Sequence, residues 1–192
     1  MTYLTIIRHG ETIENANHLC QGQQPGQLSG NGIKQAKELA LKLKNEHPDA
    51  FYSSDLTRSM DTSAEILAFH PSVQVIPEPL LRERYMAAWE GKPFPQGWKW
   101  EYLPEHAETN EDMLSRAKQF LDKIIEKHSN QQVWAVTHGG LIRAFWTLLS
   151  EKPVSEYFSW EEPKNTSVSR VKIDPDRHFE IIGINNTDHL TK

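Results

Sequence analysis

Two short stretches set a histidine against a glycine directly after an apolar run, Arg8-His9-Gly10-Glu11-Thr12 and Thr137-His138-Gly139-Gly140. Two further stretches supply a second arginine, in Ser54-Asp55-Leu56-Thr57-Arg58-Ser59, and an acid, in Leu81-Arg82-Glu83. A neutral imidazole keeps a lone pair at neutral pH, so His9 can attack an electrophile without a strong base to activate it. Guanidinium stays charged and presents a planar fork of donors, which suits Arg8 and Arg58 to hold two oxygens of a phosphate. A group that transfers phosphoryl needs such fixed donors around its charged oxygens. His138 is then expected to donate a hydrogen bond to the transferring group, and Glu83 to protonate the leaving oxygen. Gly10 would let the backbone approach the phosphate, with the following amides aimed at the anion. Taken singly, each residue has a plainer reading. The arginines could be surface ion-pair partners, His9 a structural strand-end histidine, and Glu83 the partner of Arg82 or Arg84. Glu11 and Glu90 are expected to make structural hydrogen bonds.

Other chemistries fit less well. Two histidines can suggest a metal, but carboxylate or cysteine ligands at metal spacing are lacking and nearby arginines would repel a cation, so neither metal nor other cofactor is expected. Cys20, in the polar run Asn17-His18-Leu19-Cys20-Gln21, has no base beside it and reads as an inert thiol. His18, His47, His70, His106, His128, His178 and His189 fall in loops or at helix ends and are expected to be solvated.

The positions of these residues follow from the elements around them. Leu4 to Ile7 reads as a short buried strand that runs straight into Arg8 and His9. After a loop rich in glycine and glutamine, Ser29 can cap a helix reaching about Lys44, with Ile33, Ala36, Leu39, Ala40 and Leu43 on one face. A strand at Ala50 to Ser54 leads into a helix carrying Met60, Ala64 and Leu67, and Val73 to Ile76 is a third strand. Prolines 77, 79, 93, 95 and 104 then punctuate a tryptophan-rich stretch that reads as a loop or lid. Trp98, Trp100 and Tyr102 either line a substrate mouth or pack among themselves. Helical periodicity returns from Asn110 to His128, and Val133 to Val136 is a strand that ends at Thr137-His138 before a further helix. Strands near Ser167 to Ile173 and Phe179 to Ile184 complete the order. Alternating strands and helices predict an α/β fold, a three-layer α/β/α sandwich with a mainly parallel central sheet, whose ligands bind beyond the carboxyl ends of the strands. If the strands before His9 and His138 are neighbours, both histidines stand at one edge.

At 192 residues the chain suits one domain, 1–192, with a short lid-like insertion at about 91–109. Hydrophobic residues at 38% and a mean hydropathy of -0.63 fit a globular protein. No apolar run is long enough to span a bilayer, and the start lacks the features of a signal peptide, so no membrane partner and a cytoplasmic location are expected. The single cysteine permits no internal disulfide. The net charge is -5 and the 21 basic residues are spread out, which leaves no footprint for nucleic acid. An anionic substrate is still allowed, because local arginines outweigh a distant field that salt screens over about 10 Å.

Read together, these blocks resemble the histidine phosphatase superfamily, whose members include phosphoglycerate mutases and broad-specificity phosphatases. Arg8 to Thr12, Asn15 and Gln21-Gly22 resemble its N-terminal signature, and Leu28-Ser29, Gly32 and Gln35-Ala36 its next block. Ser54 to Ser59 with Thr62-Ser63, Leu81 to Glu83, Trp89-Glu90-Gly91 and Thr137 to Gly140 follow in family order, over about residues 4 to 150. The resemblance implies a phosphoglycerate mutase-like fold and a metal-independent phosphatase acting on small phosphorylated metabolites through a phosphohistidine at His9. It also implies that Asn15, Gln21, Gly22 and Gly139 join Arg8 and Arg58 in binding substrate. Ala87, where glycine is usual, Gln27, where proline is usual, and Ala107-Glu108-Thr109 depart from the pattern and bear on the rim. A phosphoglycerate mutase is the close alternative; the short segment after Gly91 argues against it. A non-catalytic phosphate-binding domain is a third reading. The natural substrate and the oligomeric state are not written in the sequence.

Overall fold

The computed structural model describes residues 1–99 and 102–191. Six strands form one sheet: β1 (Thr2–Arg8), β2 (Ala50–Ser53), β3 (Val75–Pro77), β4 (Gln132–Thr137), β5 (Val168–Ile173) and β6 (Phe179–Asn186), in the order β3-β2-β4-β1-β5-β6. The first four run parallel, while β5 is antiparallel to both β1 and β6. The helices are α1 (Ile13–Ala16), α2 (Gly30–Leu43), α3 (Thr57–Leu67), α4 (Asn110–Lys127) and α5 (Gly139–Leu149).

Successive side chains of a strand point to opposite faces, and the three central strands bury both sets. Leu4, Ile6, Tyr52, Val133 and Ala135 pack under α4 and α5, whereas Ile7, Phe51, Trp134 and Val136 pack under α2. This is the expected three-layer arrangement. A slip of one residue in β1 would exchange its two faces, so the paired cores also fix its register. That register sets Arg8 opposite Thr137, which brings His9 and His138 together just beyond two adjacent parallel strands.

The helices begin where their caps dictate. Ser29 Oγ accepts from the Gly32 amide at the start of α2, and Thr109 with Asp112 forms a capping box at the start of α4. Sequence periodicity misplaced some faces. Ile33 is 38% exposed, because α2 instead lays Gly32 against the chain at Glu11, where an added Cβ would stand 1.9 Å from a carbonyl oxygen. In α3 the buried residues are Arg58, Ser59, Thr62, Ser63 and Ile66, whereas Met60, Ala64 and Leu67 lie outside that set. The one-turn helix α1, held by Thr12 and Asn15, has no counterpart in the periodicity. No helix among the described residues is long and apolar enough to cross a membrane.

Candidate active site

At the carboxyl edge of β1 and β4 lies a cavity of about 420 Å³. His9, buried, follows β1. Its Nδ1 lies 2.7 Å from the Gly10 carbonyl oxygen, which can only accept, so the ring proton sits on Nδ1 and the lone pair on Nε2. Burial, then the charges of Arg58 and Arg8, hold its pKa well below the ordinary histidine value, so the imidazole is neutral.

His138 stands beside it, with ring centroids 5.0 Å apart. Arg58 Nε donates to its Nδ1 at 3.2 Å, which leaves the ring proton on Nε2, 2.8 Å from Ser54 Oγ and 3.3 Å from Ser59 Oγ. Burial and Arg58 likewise keep this ring neutral. Both ring nitrogens are thus engaged within the protein. The hydrogen bond expected from His138 to a transferring group has no free ring N–H in this arrangement.

The two arginines converge from different elements. Arg8 ends β1, and its Nη1 donates to the Pro163 carbonyl and approaches Glu162 Oε1 at 3.4 Å. Its Nε is buried without a hydrogen-bond partner among the described residues, leaving a donor in the cavity wall. Arg58, in the first turn of α3, donates to the carbonyls of Gly22 and Gln24 at 2.8 Å each. Burial pulls it down to about 10, so it stays charged at neutral pH.

Glu83 borders the same cavity, and among the described residues the guanidinium groups of Arg82 and Arg84 bond elsewhere. Arg82 binds Asp55, while Arg84 donates to the Glu108 carbonyl and to Asn110 and lies over the Tyr157 ring. The Glu83 carboxylate instead accepts the backbone amides of Arg84, at 2.7 Å, and of Gly140, at 3.0 Å, in the first turn of α5. Asn15, Gln21, Gly22 and Gly139 also line the cavity. A Cβ on Gly139 would stand 3.5 Å from the Arg8 guanidinium carbon.

Some expectations fail on geometry. Gly10 does not front the cavity; a Cβ there would meet the Gly32 carbonyl oxygen at 2.6 Å, so glycine is required for packing against α2. Its amide goes to Thr62 Oγ1, and those of Glu11 and Thr12 to Gln35 and Asn15, so none is aimed at an anion. His70 is buried against Trp134 instead of solvated, and His128 bridges Tyr52 and Gln131. His18 lines the cavity. Glu11 and Glu90 make the expected structural bonds, to Ser29 and Asn31 and to the amides of Gln23 and Met86. Cys20 is buried, and burial with nearby Glu90 and Glu83 pushes its thiol up to about 12, which fits an inert group. Trp98 both lines the mouth and stacks on Phe94 at 4.3 Å, Tyr102 is 66% exposed, and Trp100 lies outside the described residues.

Among the polar residues of the cavity, sequence reading missed four, Arg143, Tyr157, Glu162 and Asn165. Three belong to a segment without a motif, between α5 and β5. Arg143 carried a signal, a charge set in the apolar run Leu141-Ile142-Arg143-Ala144-Phe145.

The model of the histidine phosphatase superfamily (branch 1) matches residues 4–187. The chain belongs to that superfamily. It is 32% identical to phosphoserine phosphatase 1 of Hydrogenobacter thermophilus, over 99% of this chain and 95% of the relative. It is 33% identical to a metal-independent phosphoserine phosphatase of Arabidopsis thaliana, over 79% and 70%. The crystal structure of a phosphoserine phosphatase from Entamoeba histolytica, in complex with 3-phosphoglyceric acid, superposes with a TM-score of 0.88 at 26% identity, covering 100% of both chains. The fold is phosphoglycerate mutase-like, and the enzyme is a phosphoric monoester hydrolase.

Proposed function

We propose that this histidine phosphatase hydrolyses small phosphorylated metabolites through a phosphohistidine formed on Nε2 of His9. The observation that carries this reading is the Nδ1–H bond to the Gly10 carbonyl, which fixes a neutral imidazole with its lone pair on Nε2 inside an arginine-lined cavity. Nε2 attacks phosphorus and the ester P–O bond breaks. The leaving oxygen takes a proton from Glu83. The resulting carboxylate accepts a proton from water, whose oxygen attacks the phosphohistidine and releases inorganic phosphate, returning the lone pair to His9. Arg8 and Arg58 hold the non-bridging oxygens throughout, and His138 positions Arg58 through the Nε to Nδ1 bond.

The role of Glu83 is separable. Glu83→Gln is expected to slow hydrolysis of alkyl phosphates by about 10²- to 10⁴-fold, and cleavage of p-nitrophenyl phosphate, whose leaving group needs no proton, far less. The aryl substrate should then show a burst of p-nitrophenol before a slow steady state. Equal losses on both substrates without a burst would assign Glu83 to structure. Activity is expected to survive a chelator, since guanidinium groups balance the phosphate charge; loss in EDTA restored by one divalent ion would overturn that.

A further inference from the structure

Tyr157 lies between α5 and β5, in the segment that carries no motif, and is buried in the wall of the cavity. Its phenol oxygen stands 2.5 Å from the Gly140 carbonyl oxygen, which can only accept, so the one hydroxyl proton is spent there. Gly140 is also the residue whose amide binds Glu83. The second amide on that carboxylate belongs to Arg84, and the Arg84 guanidinium lies over the Tyr157 ring, its central carbon 5.0 Å from the ring centroid. Tyr157 therefore touches both residues that hold Glu83, although the two come from distant parts of the chain.

The local geometry shows how these contacts act on the acid. The amide of Gly140 is free for Glu83 because the first turn of a helix offers it no carbonyl of its own. A Cβ on Gly140 would stand 2.2 Å from Glu83 Oε1 and 3.4 Å from the Tyr157 oxygen, so the absence of a side chain is what lets acid and phenol meet across one residue. Glycine cannot anchor the turn through a side chain. The Tyr157 hydroxyl supplies an anchor from outside, and since its proton is already engaged it acts through Gly140 instead of donating to a substrate.

We propose that Tyr157 is a positioning residue for Glu83, acting through Gly140 and Arg84 to aim the acid at the leaving oxygen. This rests on the phosphatase reading and on the role given there to Glu83. Tyr157→Phe tests it, because it keeps the buried ring beneath Arg84 and removes only the hydroxyl. The variant should lower kcat on an alkyl phosphate such as glycerol 3-phosphate by about ten- to a hundredfold, the scale on which a small misplacement of a reacting group costs rate, with KM near its wild-type value. Single-turnover release of p-nitrophenol from p-nitrophenyl phosphate, which needs no proton from the acid, should keep its wild-type rate. In a Glu83→Gln background the same change should cost nothing more on the alkyl substrate, since the group it aims is already gone. Equal losses on the two substrates, a change confined to KM, or the full loss repeated in the Glu83→Gln background would overturn the proposal, the last by giving Tyr157 a task of its own. Equal losses for Glu83→Gln alone on both substrates, or a wild-type enzyme inactive on every phosphomonoester, would instead remove the reading beneath it.

Discussion

The protonation of two adjacent histidines is set by bonds that each can make in only one way. A carbonyl forces the proton of His9 onto Nδ1, and an arginine N–H forces that of His138 onto Nε2. His138→Leu, which loses the acceptor facing Arg58, should therefore act as a positioning change. A fall in kcat with a shifted pH profile is expected; a pure KM effect would point to direct substrate binding instead. These roles were only partly legible in the sequence. The residue types announced phosphoryl chemistry, but spacing could not show that His138 is engaged by Arg58, because that contact joins residues on α3 and at the start of α5.

At the scale of elements, backbone conformation explains what motif spacing could only flag. Ala87, which replaces a usual glycine, has φ 48°, a left-handed conformation that costs a residue with a Cβ about 1–2 kcal/mol. Ala87→Gly should therefore stabilise the protein by about 0.5–1 kcal/mol, after the greater entropy loss of glycine, read as a raised urea midpoint with unchanged slope. Gly32→Ala should do the reverse, by about 3 kcal/mol or more, since its Cβ would strike the Glu11 backbone. Elements with strong periodicity and caps, α2 and α4, were readable nearly to their ends. The presence of the helix α3 was readable but not its facing, because its buried side is polar and holds Arg58, Ser59 and Thr62 for the site.

Across the whole molecule, βα alternation made the parallel sheet and the shared edge of His9 and His138 legible, while the antiparallel return of β5 and β6 follows from long-range pairing that local pattern does not encode. Burying neutral histidines also gives the molecule a pH dependence. The unfolded imidazoles titrate near 6.5, whereas those of His9 and His138 are held well below, so the unfolded chain binds more protons in that window. The stability contributed by these two rings is therefore present above about pH 6.5 and is lost as pH falls below it. Thermal unfolding midpoints should drop between pH 7 and 5, and His138→Gln should flatten that drop; an equal slope in the variant would remove this cause.

The central claim is a covalent phosphohistidine on Nε2 of His9, and mass spectrometry of rapidly quenched enzyme tests it most directly. Glu83→Gln protein mixed with p-nitrophenyl phosphate should gain one phosphoryl group per chain, on the peptide containing His9, labile in acid and stable in base. His9→Ala should fold, gain no phosphoryl group and turn over no substrate. A burst of p-nitrophenol without phosphoryl on that peptide, or phosphoryl found on His138, would contradict the account.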